Sequence, residues 1–402
     1  MAQKGLGGFF ESYLEKSPLF IDKEVLQSSY TPDTIPHRHE QIEQIASILA
    51  PCLRAEKPSN LFLYGKTGSG KTLSVKYVKD QLLETSKKKE IPLVIAYINC
   101  KLKRVADTEY RLVAQLAREV GCQVPPTGLP TDEVYRIFIN MIDKEKKILI
   151  LILDEIDHLV KKADDEILYN LTRLNTELKN VNISIVGISN DLVFRDNLDP
   201  RVKSSLSEEE IHFPPYNALQ LQEILKQRAQ MAFREGVISE GVIEKCAAYA
   251  AKEHGDARRA LELLRVSGEL AERKNESKIL MKHIDDAEEK IDRDRIIEAI
   301  HMQPKQFQVT MLAILTLALK SNKPIFTGDL YDIYTEFCIK SGLKPLTQRR
   351  VSDIIAELDM LGIINSKVIS KGRYGRTREI GLAIPTSTTL TLNQSLKDGL
   401  NI

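Results

Sequence analysis

The sequence predicts a three-part chain: an α/β domain built on a parallel sheet, then an all-helical domain, then three helices closed by a β-hairpin. Strands alternate with helices as far as Phe213, the pattern of a parallel sheet with helices on both faces. Residues 217–290 carry helical periodicity alone. Beyond Ile296 come three amphipathic segments and two short strands around a basic turn.

Each element follows from its own stretch. Residues 1–28 are poorly patterned and read as a loosely packed arm. Tyr30-Thr31-Pro32-Asp33 and Ile35-Pro36-His37-Arg38 form an extended lead-in, because two prolines restrict the backbone. Ile42, Ile45, Leu49 and Leu53 then share one helical face. Leu61–Tyr64 is the first strand, and Val75, Val78 and Leu82 mark the helix after Gly65–Thr72. Leu93–Ile98 is the second strand, followed by helices over Thr108–Val120 and Thr131–Ile142. Lys147–Leu153 (KILILIL), Ile183–Ser189 and Glu210–Phe213 complete the sheet. Phe213-Pro214-Pro215-Tyr216 breaks the pattern. Helices follow around Leu221, Ile224 and Leu225, over Val242–Ala251 and over Ala257–Ala271. The charged stretch Asp285–Arg295 reads as an exposed bridging helix. Gln308–Leu319, Thr327–Ile339 and a third helix capped by Thr347 precede a hairpin from Ile363 through Ile380. The predicted boundaries are an arm over 1–28, a nucleotide-binding domain over 29–213 and a helical domain over 214–290. A C-terminal domain over 296–385 and an irregular tail over 386–402 complete the division.

The composition sets limits. A chain of 402 residues exceeds one ordinary domain, and 43% hydrophobic residues suffice for several cores. The net charge is only +1, so any basic surface must be local. Cys52, Cys100, Cys122, Cys246 and Cys338 include no C-x-x-C pair, which suits free thiols in a reducing compartment. No run of 18 apolar residues and no signal-peptide core is present, so a soluble, cytoplasmic protein with no membrane partner is expected.

The chemistry centres on Gly65-Lys66-Thr67-Gly68-Ser69-Gly70-Lys71-Thr72, which satisfies G-x-x-x-x-G-K-[ST] between a strand and a helix. Glycines let successive backbone N–H groups turn inward on an anion, and the helix that runs on through Leu73 adds its positive end. Lys71 then addresses the outer phosphates and the Thr72 hydroxyl a magnesium ion. Asp154 and Glu155 end the KILILIL strand, expected beside the first strand: Asp154 to hold the metal's water shell, Glu155 to orient or deprotonate the attacking water. Asp157 suits the first turn of a helix. Asn190 ends the fourth strand, where a neutral amide can bond a γ-phosphate or the water. A Gly-rich turn, acidic caps and a turn asparagine are the plain alternatives; their convergence around one loop argues against them.

These residues resemble the AAA+ ATPases, in which Asn190 looks like the sensor-one residue and Gly255-Asp256-Ala257-Arg258-Arg259-Ala260-Leu261 like the sensor-two motif of a helical lid. The resemblance implies that Arg258 reaches the nucleotide phosphates. YTPDTIPHR, NLFLYGKTGSGKT, LDPRVKSSL, FPPYNALQLQEIL and GDARRALELL together resemble the archaeal DNA replication initiators, related to both the origin recognition complex and the cell division control loader. That likeness spans residues 30–382. It implies that Pro36, His37 and Arg38 lie beside adenine, that Tyr216 and Arg228 contact the nucleotide, and that Arg201 is an arginine finger acting on a neighbouring subunit. The implied cofactors are ATP/ADP and Mg2+. The implied partners are double-stranded origin DNA, the replicative helicase and other initiator paralogues, in the cytoplasm on the nucleoid. A second DNA contact is implied within 101–130, including Lys103, Arg104 and Arg111.

The third region has the outline of a winged helix. Thr347, Gln348, Arg349 and Arg350 open its third helix, where the major groove is read, and Lys371, Arg373, Tyr374, Arg376 and Arg378 surround the hairpin tip. From Lys340 to Arg378, nine Lys or Arg face three Asp or Glu, a local excess expected of nucleic-acid contact. The preferred reading is an origin-binding initiator with slow, regulatory ATP hydrolysis. Two alternatives remain: a clamp-loader-like or signalling AAA+ ATPase whose winged helix binds protein, and a transcription regulator that uses nucleotide structurally.

Overall fold

The computed structural model describes residues 18–101, 108–122, 124–125, 128–320, 324–370 and 376–402. The chain divides into two compact units, Met1–Ile284 and Asp285–Ile402.

The first unit holds a five-stranded parallel sheet: β1 (Asn60–Gly65), β2 (Leu93–Asn99), β3 (Lys147–Asp154), β4 (Val181–Ser189) and β5 (Glu208–Phe213), in the order β2-β3-β4-β1-β5. Alternation along β1 and β3 sends residues to two cores. Leu61, Leu63, Ile148, Ile150 and Ile152 meet α1 (His39–Leu49) and α2 (Lys71–Lys88) on one face. Phe62, Leu149, Leu151 and Leu153 share the opposite core with Leu112, Val113 and Leu116 of α3 (Glu109–Glu119) and with Val134 and Phe138 of α4 (Thr131–Ile142). Residues of α5 (Ile156–Ala163), α6 (Glu166–Glu177) and α7 (Pro200–Leu206) complete that core. One expectation is corrected here: β3 is not beside β1. β4 lies between them in the sheet.

The unit also holds α8 (Ala218–Ala232), opened by a reciprocal Asn217–Gln220 capping box, α9 (Val242–Lys252) and α10 (Ala257–Arg273). The arm is also corrected over its described part. Leu19, Phe20, Val25 and Leu26 are buried, and Phe20 pairs with Phe233 as an isolated antiparallel bridge. Its apolar residues are spaced irregularly, so no period announces that packing.

The division between units falls within α11 (Met281–His301). The second unit packs α12 (Lys305–Lys320), α13 (Thr327–Lys340) and α14 (Gln348–Met360) against a small sheet ordered β6-β8-β7. Its strands are β6 (Ile325–Phe326), β7 (Ile364–Ser370) and β8 (Arg376–Leu382). The tail expected to be irregular is instead a helix, α15 (Thr386–Leu400), with Leu392, Leu396 and Leu400 buried in the same core. Its threonines and serines obscure the pattern, yet the leucines recur every fourth residue. Among the described residues no helix is long and apolar enough to cross a membrane.

Candidate functional site

The tips of β1, β3 and β4 bring the predicted residues together. β1 ends at Gly65, and α2 begins at Lys71 after Gly68 (φ 71°) and Gly70 (φ 94°), conformations that L side chains rarely adopt. Lys71 is 4% exposed, and its ammonium donates to Gly65 O at 2.7 Å, Lys66 O at 2.9 Å and Asn190 Oδ1 at 3.0 Å. All three acceptors are uncharged. Burial lowers its pKa to about 8, Asp154 opposes that shift, and the nearby Arg258 deepens it. An under-compensated buried cation is what a phosphate group fits. The Thr72 hydroxyl donates to Asp154 Oδ2 at 3.0 Å, so the two predicted metal residues touch. Thr72, Asp154 and Glu155 all line one cavity of about 440 Å³.

Glu155 has φ 55°, a strained left-handed backbone for a non-glycine residue, at the head of α5. Its carboxylate lies 3.3 Å from Lys101 Nζ and 3.5 Å from His158 Nε2. The Asn190 backbone N–H donates to Asp157 Oδ1 at 3.4 Å, so buried Asp157 does more than open a helix: it fixes the tip of β4.

The helical part of the first unit closes the cavity from the other side. The Asp256 carboxylate caps α10, accepting from the N–H groups of Arg258 (2.8 Å) and Arg259 (3.3 Å). A Cβ on Gly68 would overlap Asp256 Oδ1, and Ala257 N donates to Gly68 O at 3.4 Å. Arg258 is exposed and lines the cavity, whereas Arg259 is buried and pairs with Glu253 at 3.1 Å. Tyr216 and Arg228 also line it. Burial lowers the pKa of Arg228, whose guanidinium stacks 4.4 Å from the Tyr30 ring.

Three predicted nucleotide residues are placed differently. The Ile35–Arg38 segment divides at Pro36: Ile35 and Pro36 line the cavity, whereas His37 and Arg38 do not. His37 takes φ 61° and meets Glu223 at 2.9 Å. Arg38 is buried behind the loop, donating to Ser69 O at 2.8 Å and Pro214 O at 2.6 Å, with Tyr216 stacked 3.9 Å away. Carbonyl acceptors are what a buried guanidinium requires, and they lie on that side. Arg201 lies outside the cavity, solvent-exposed and paired with Asp199 at 3.1 Å. Leu73 and Thr67 line the cavity; Lys66 and Ser69 do not, the Lys66 carbonyl accepting from the Ser69 hydroxyl and the Lys71 ammonium.

In the second unit, the Thr347 hydroxyl accepts from Arg350 N at 3.5 Å as the cap of α14, and Gln348, Arg349 and Arg350 are exposed. Arg378, half-buried, donates to Ser352 Oγ and Ser366 Oγ, both at 3.2 Å, and so also braces the fold. Lys371, Arg373 and Tyr374, the side chain of Arg376, and Lys103 and Arg104 lie outside the described residues. Arg111 sits in the first turn of α3, its N–H bonded to the Thr108 hydroxyl.

Sequence reasoning missed Tyr97, whose hydroxyl donates to Asp154 Oδ2 at 2.6 Å from the neighbouring strand β2. The signal was the apolar run LVIAYIN ending in polar residues: the C-terminal end of a parallel strand faces the same layer as the phosphate loop. Lys101, Lys76 and Gln227, which line the cavity, carry no pattern of their own.

Known proteins share this construction. Residues 54–193 match a family model described as AAA domain, residues 222–289 one described as Cdc6 AAA+ ATPase-type lid domain, and residues 298–391 one described as CDC6, C terminal winged helix domain. An ORC1-type DNA replication protein of Pyrococcus abyssi is 54% identical over 386 residues, covering 95% of this chain and 91% of that protein. An ORC1-type DNA replication protein 1 of Methanosarcina mazei is 51% identical over 388 residues, covering 96% and 93%. The structure of the Aeropyrum pernix ORC1 protein in complex with DNA superimposes with a TM-score of 0.81 at 43% identity, covering 95% of this chain and 98% of that one. Given these relatives along nearly its whole length, the chain belongs to the family of ORC1-type DNA replication proteins, AAA+ ATPases with a Cdc6-type lid and a C-terminal winged helix.

Proposed function

We propose that this chain is a nucleotide-switched replication initiator: it binds double-stranded origin DNA under ATP/ADP control and helps recruit or load the replicative helicase. The observation that carries the switch is the construction of one cavity from two sides, with Lys71, Thr72, Asp154 and Asn190 on the sheet and Arg258 on the lid. Lys71 and the loop N–H groups would hold the phosphates, and Thr72 and Asp154 the magnesium ion, which when bound supplies charge neutralisation between phosphate oxygens. Glu155 orients the attacking water and accepts its proton. Asn190 fixes that water and the end phosphate without adding negative charge. Arg258 senses the same charge from the lid, so loss of a phosphate changes what holds the lid closed. Hydrolysis in such a device is slow and regulatory. Arg201, exposed and away from its own cavity, acts on the nucleotide of a neighbouring copy or paralogue assembled on DNA.

The parts divide as a nucleotide-binding domain over 29–213, a lid over 214–290 and a winged helix from 296 that extends into α15. The exposed head of α14 carries Thr347, Gln348, Arg349 and Arg350 to the major groove, and Lys371, Arg373, Tyr374, Arg376 and Arg378, which follow β7 in the sequence, add phosphate or minor-groove contacts. The likeness to a protein solved in complex with DNA supports this assignment. The setting is the cytoplasm, on the nucleoid.

Footprinting on chromosomal DNA beside the protein's own gene, with ATP, ADP or neither, is the test. Sequence-specific protection that changes with nucleotide supports the switch. Lys71→Ala should abolish nucleotide binding, and Glu155→Gln should keep binding and stop turnover. Unchanged turnover in the glutamine variant refutes the role of Glu155.

A further inference from the structure

One continuous stretch of the cavity's lining has no regular element in it. Residues 27–36 line the cavity without a break, and none belongs to a helix or strand. With no ladder or helix of its own, such a segment depends on its two ends and on the Arg228 guanidinium stacked over the Tyr30 ring between them. At one end Arg38 is bonded to Ser69 O and Pro214 O, which fixes the strap to the sheet domain behind the phosphate loop. At the other end residues 19–26 are docked on the lid. Ile21 N donates to Ala232 O at 2.8 Å, and Arg234 N to Leu19 O at 3.1 Å. The Phe20 ring lies 4.5 Å from Phe233, and a Cβ on Gly268 of α10 would come within 2.6 Å of it.

One side chain closes that dock. Glu272, near the end of α10, accepts from Leu19 N through Oε1 at 2.9 Å and from Lys23 Nζ through Oε2 at 3.1 Å. Its side chain is 11% exposed, so its bond to Leu19 N is not readily replaced by water, whereas the Lys23 partner is 41% exposed. It sits on the helix whose opposite end carries Asp256 and Arg258 at the phosphate loop. Seventeen helical residues rising 1.5 Å each separate the ends by about 25 Å, too far for Glu272 itself to touch the ligand.

We infer that Glu272 is a positioning residue for the bound nucleotide: through its clasp on Leu19 and Lys23 it holds residues 27–36 as a wall of the cavity, so nucleotide residence and lid position are linked through the strap. The inference rests on the nucleotide reading of the cavity. A ligand between the loop and the strap meets both ends of α10: Arg258 directly and Glu272 through the strap. A lid that swings away drags the wall with it.

The test measures dissociation of a fluorescent ADP analogue by stopped flow from the full chain. Glu272→Ala should release it about tenfold faster, the loss expected when a charge-assisted bond and its partner bond disappear. Glu272→Gln, which keeps an acceptor for Leu19 N, should recover most of the wild-type rate. Hydrogen exchange should show nucleotide protecting residues 27–36 and 19–26 together in the wild type, with both protections weakened in the alanine variant. A wild-type release rate in Glu272→Ala despite loss of protection over 19–26 would overturn the inference. Should that variant not fold, Lys23→Ala should still release nucleotide about twofold faster; nucleotide that leaves exchange over 19–26 unchanged in the wild type overturns the inference without any variant. If the wild-type chain binds no analogue, the nucleotide reading itself fails, and the clasp with it.

Discussion

Lys71 makes the nucleotide site titratable in an accessible range. Burial, opposed by Asp154, brings its pKa from the ordinary 10.5 to about 8. Below pH 8 the folded and unfolded chains both carry this proton, and the folded state bears the full cost of a desolvated ammonium, on the order of 3 kcal/mol for that shift. Between about pH 8 and 10.5 the unfolded chain keeps the proton and the folded chain loses it, so this group's contribution to stability improves as pH rises. Bound phosphates reverse the preference, because they supply the negative charge that the three neutral acceptors lack. Binding above pH 8 must therefore take up a proton. Affinity should be level from pH 7 to about 8 and then fall about tenfold per pH unit, reaching about tenfold weaker at pH 9. The assay is titration with a fluorescent ATP analogue from pH 7.5 to 9.5 at fixed ionic strength and Mg2+. Lys71→Arg keeps a cation that does not titrate there, so whatever it still binds should show no slope. Arg258→Gln should move the break to higher pH, because Arg258 is one of the groups that depress Lys71. A flat wild-type profile refutes the reasoning, as does an equal slope in the arginine variant.

Three further outcomes are expected. Gly68→Ala places a methyl group on the Asp256 carboxylate at a positive φ, so nucleotide affinity should drop at least tenfold while Asn217–Lys252 keep native exchange protection; calorimetric titration and exchange measure both. Tyr97→Phe removes one donor from Asp154 Oδ2, so the Mg2+ concentration for half-maximal nucleotide binding should rise about tenfold while binding in EDTA stays unchanged. Arg349→Gln with Arg350→Gln should lower the salt slope of DNA affinity by about two with no loss of stability, whereas Arg378→Ala should lower the unfolding temperature of the second unit, because it leaves Ser352 and Ser366 without their brace.

What the sequence disclosed follows the range of the interactions. The phosphate loop is contiguous, so its spacing, its strand and its helix announce it together. Asp154, Glu155 and Asn190 are legible one step further out, because a parallel sheet sends every strand's C-terminal end to the same layer. The order of the strands is not written in any single strand, which is why β4 between β1 and β3 came as a correction. Arg38 stands behind the loop rather than in the cavity for a related reason. A basic residue beside a functional motif reads the same whether its partner is a ligand anion or a buried carbonyl or hydroxyl, and only tertiary structure tells them apart. In α15 the helix lay hidden under threonine and serine, residues of modest helix propensity whose stability here comes from the three buried leucines.

Adjacent arginines show how the lid can read the loop. Arg258 and Arg259 differ by one position, about 100° around α10, so one faces the cavity and the other is buried against Glu253. Arg259 therefore fixes the roll of the helix, and that roll decides where Arg258 points. The head of the same helix rests on Gly68, where the absence of a side chain lets the Asp256 carboxylate approach and Gly68 O accept from Ala257 N. The loop cannot change its backbone at Gly68 without moving the head of α10, and α10 cannot tilt without shifting Gly68. On the proposed nucleotide switch, this contact is the route by which phosphate occupancy would reach the lid, with Arg259 and Asp256 holding the helix end.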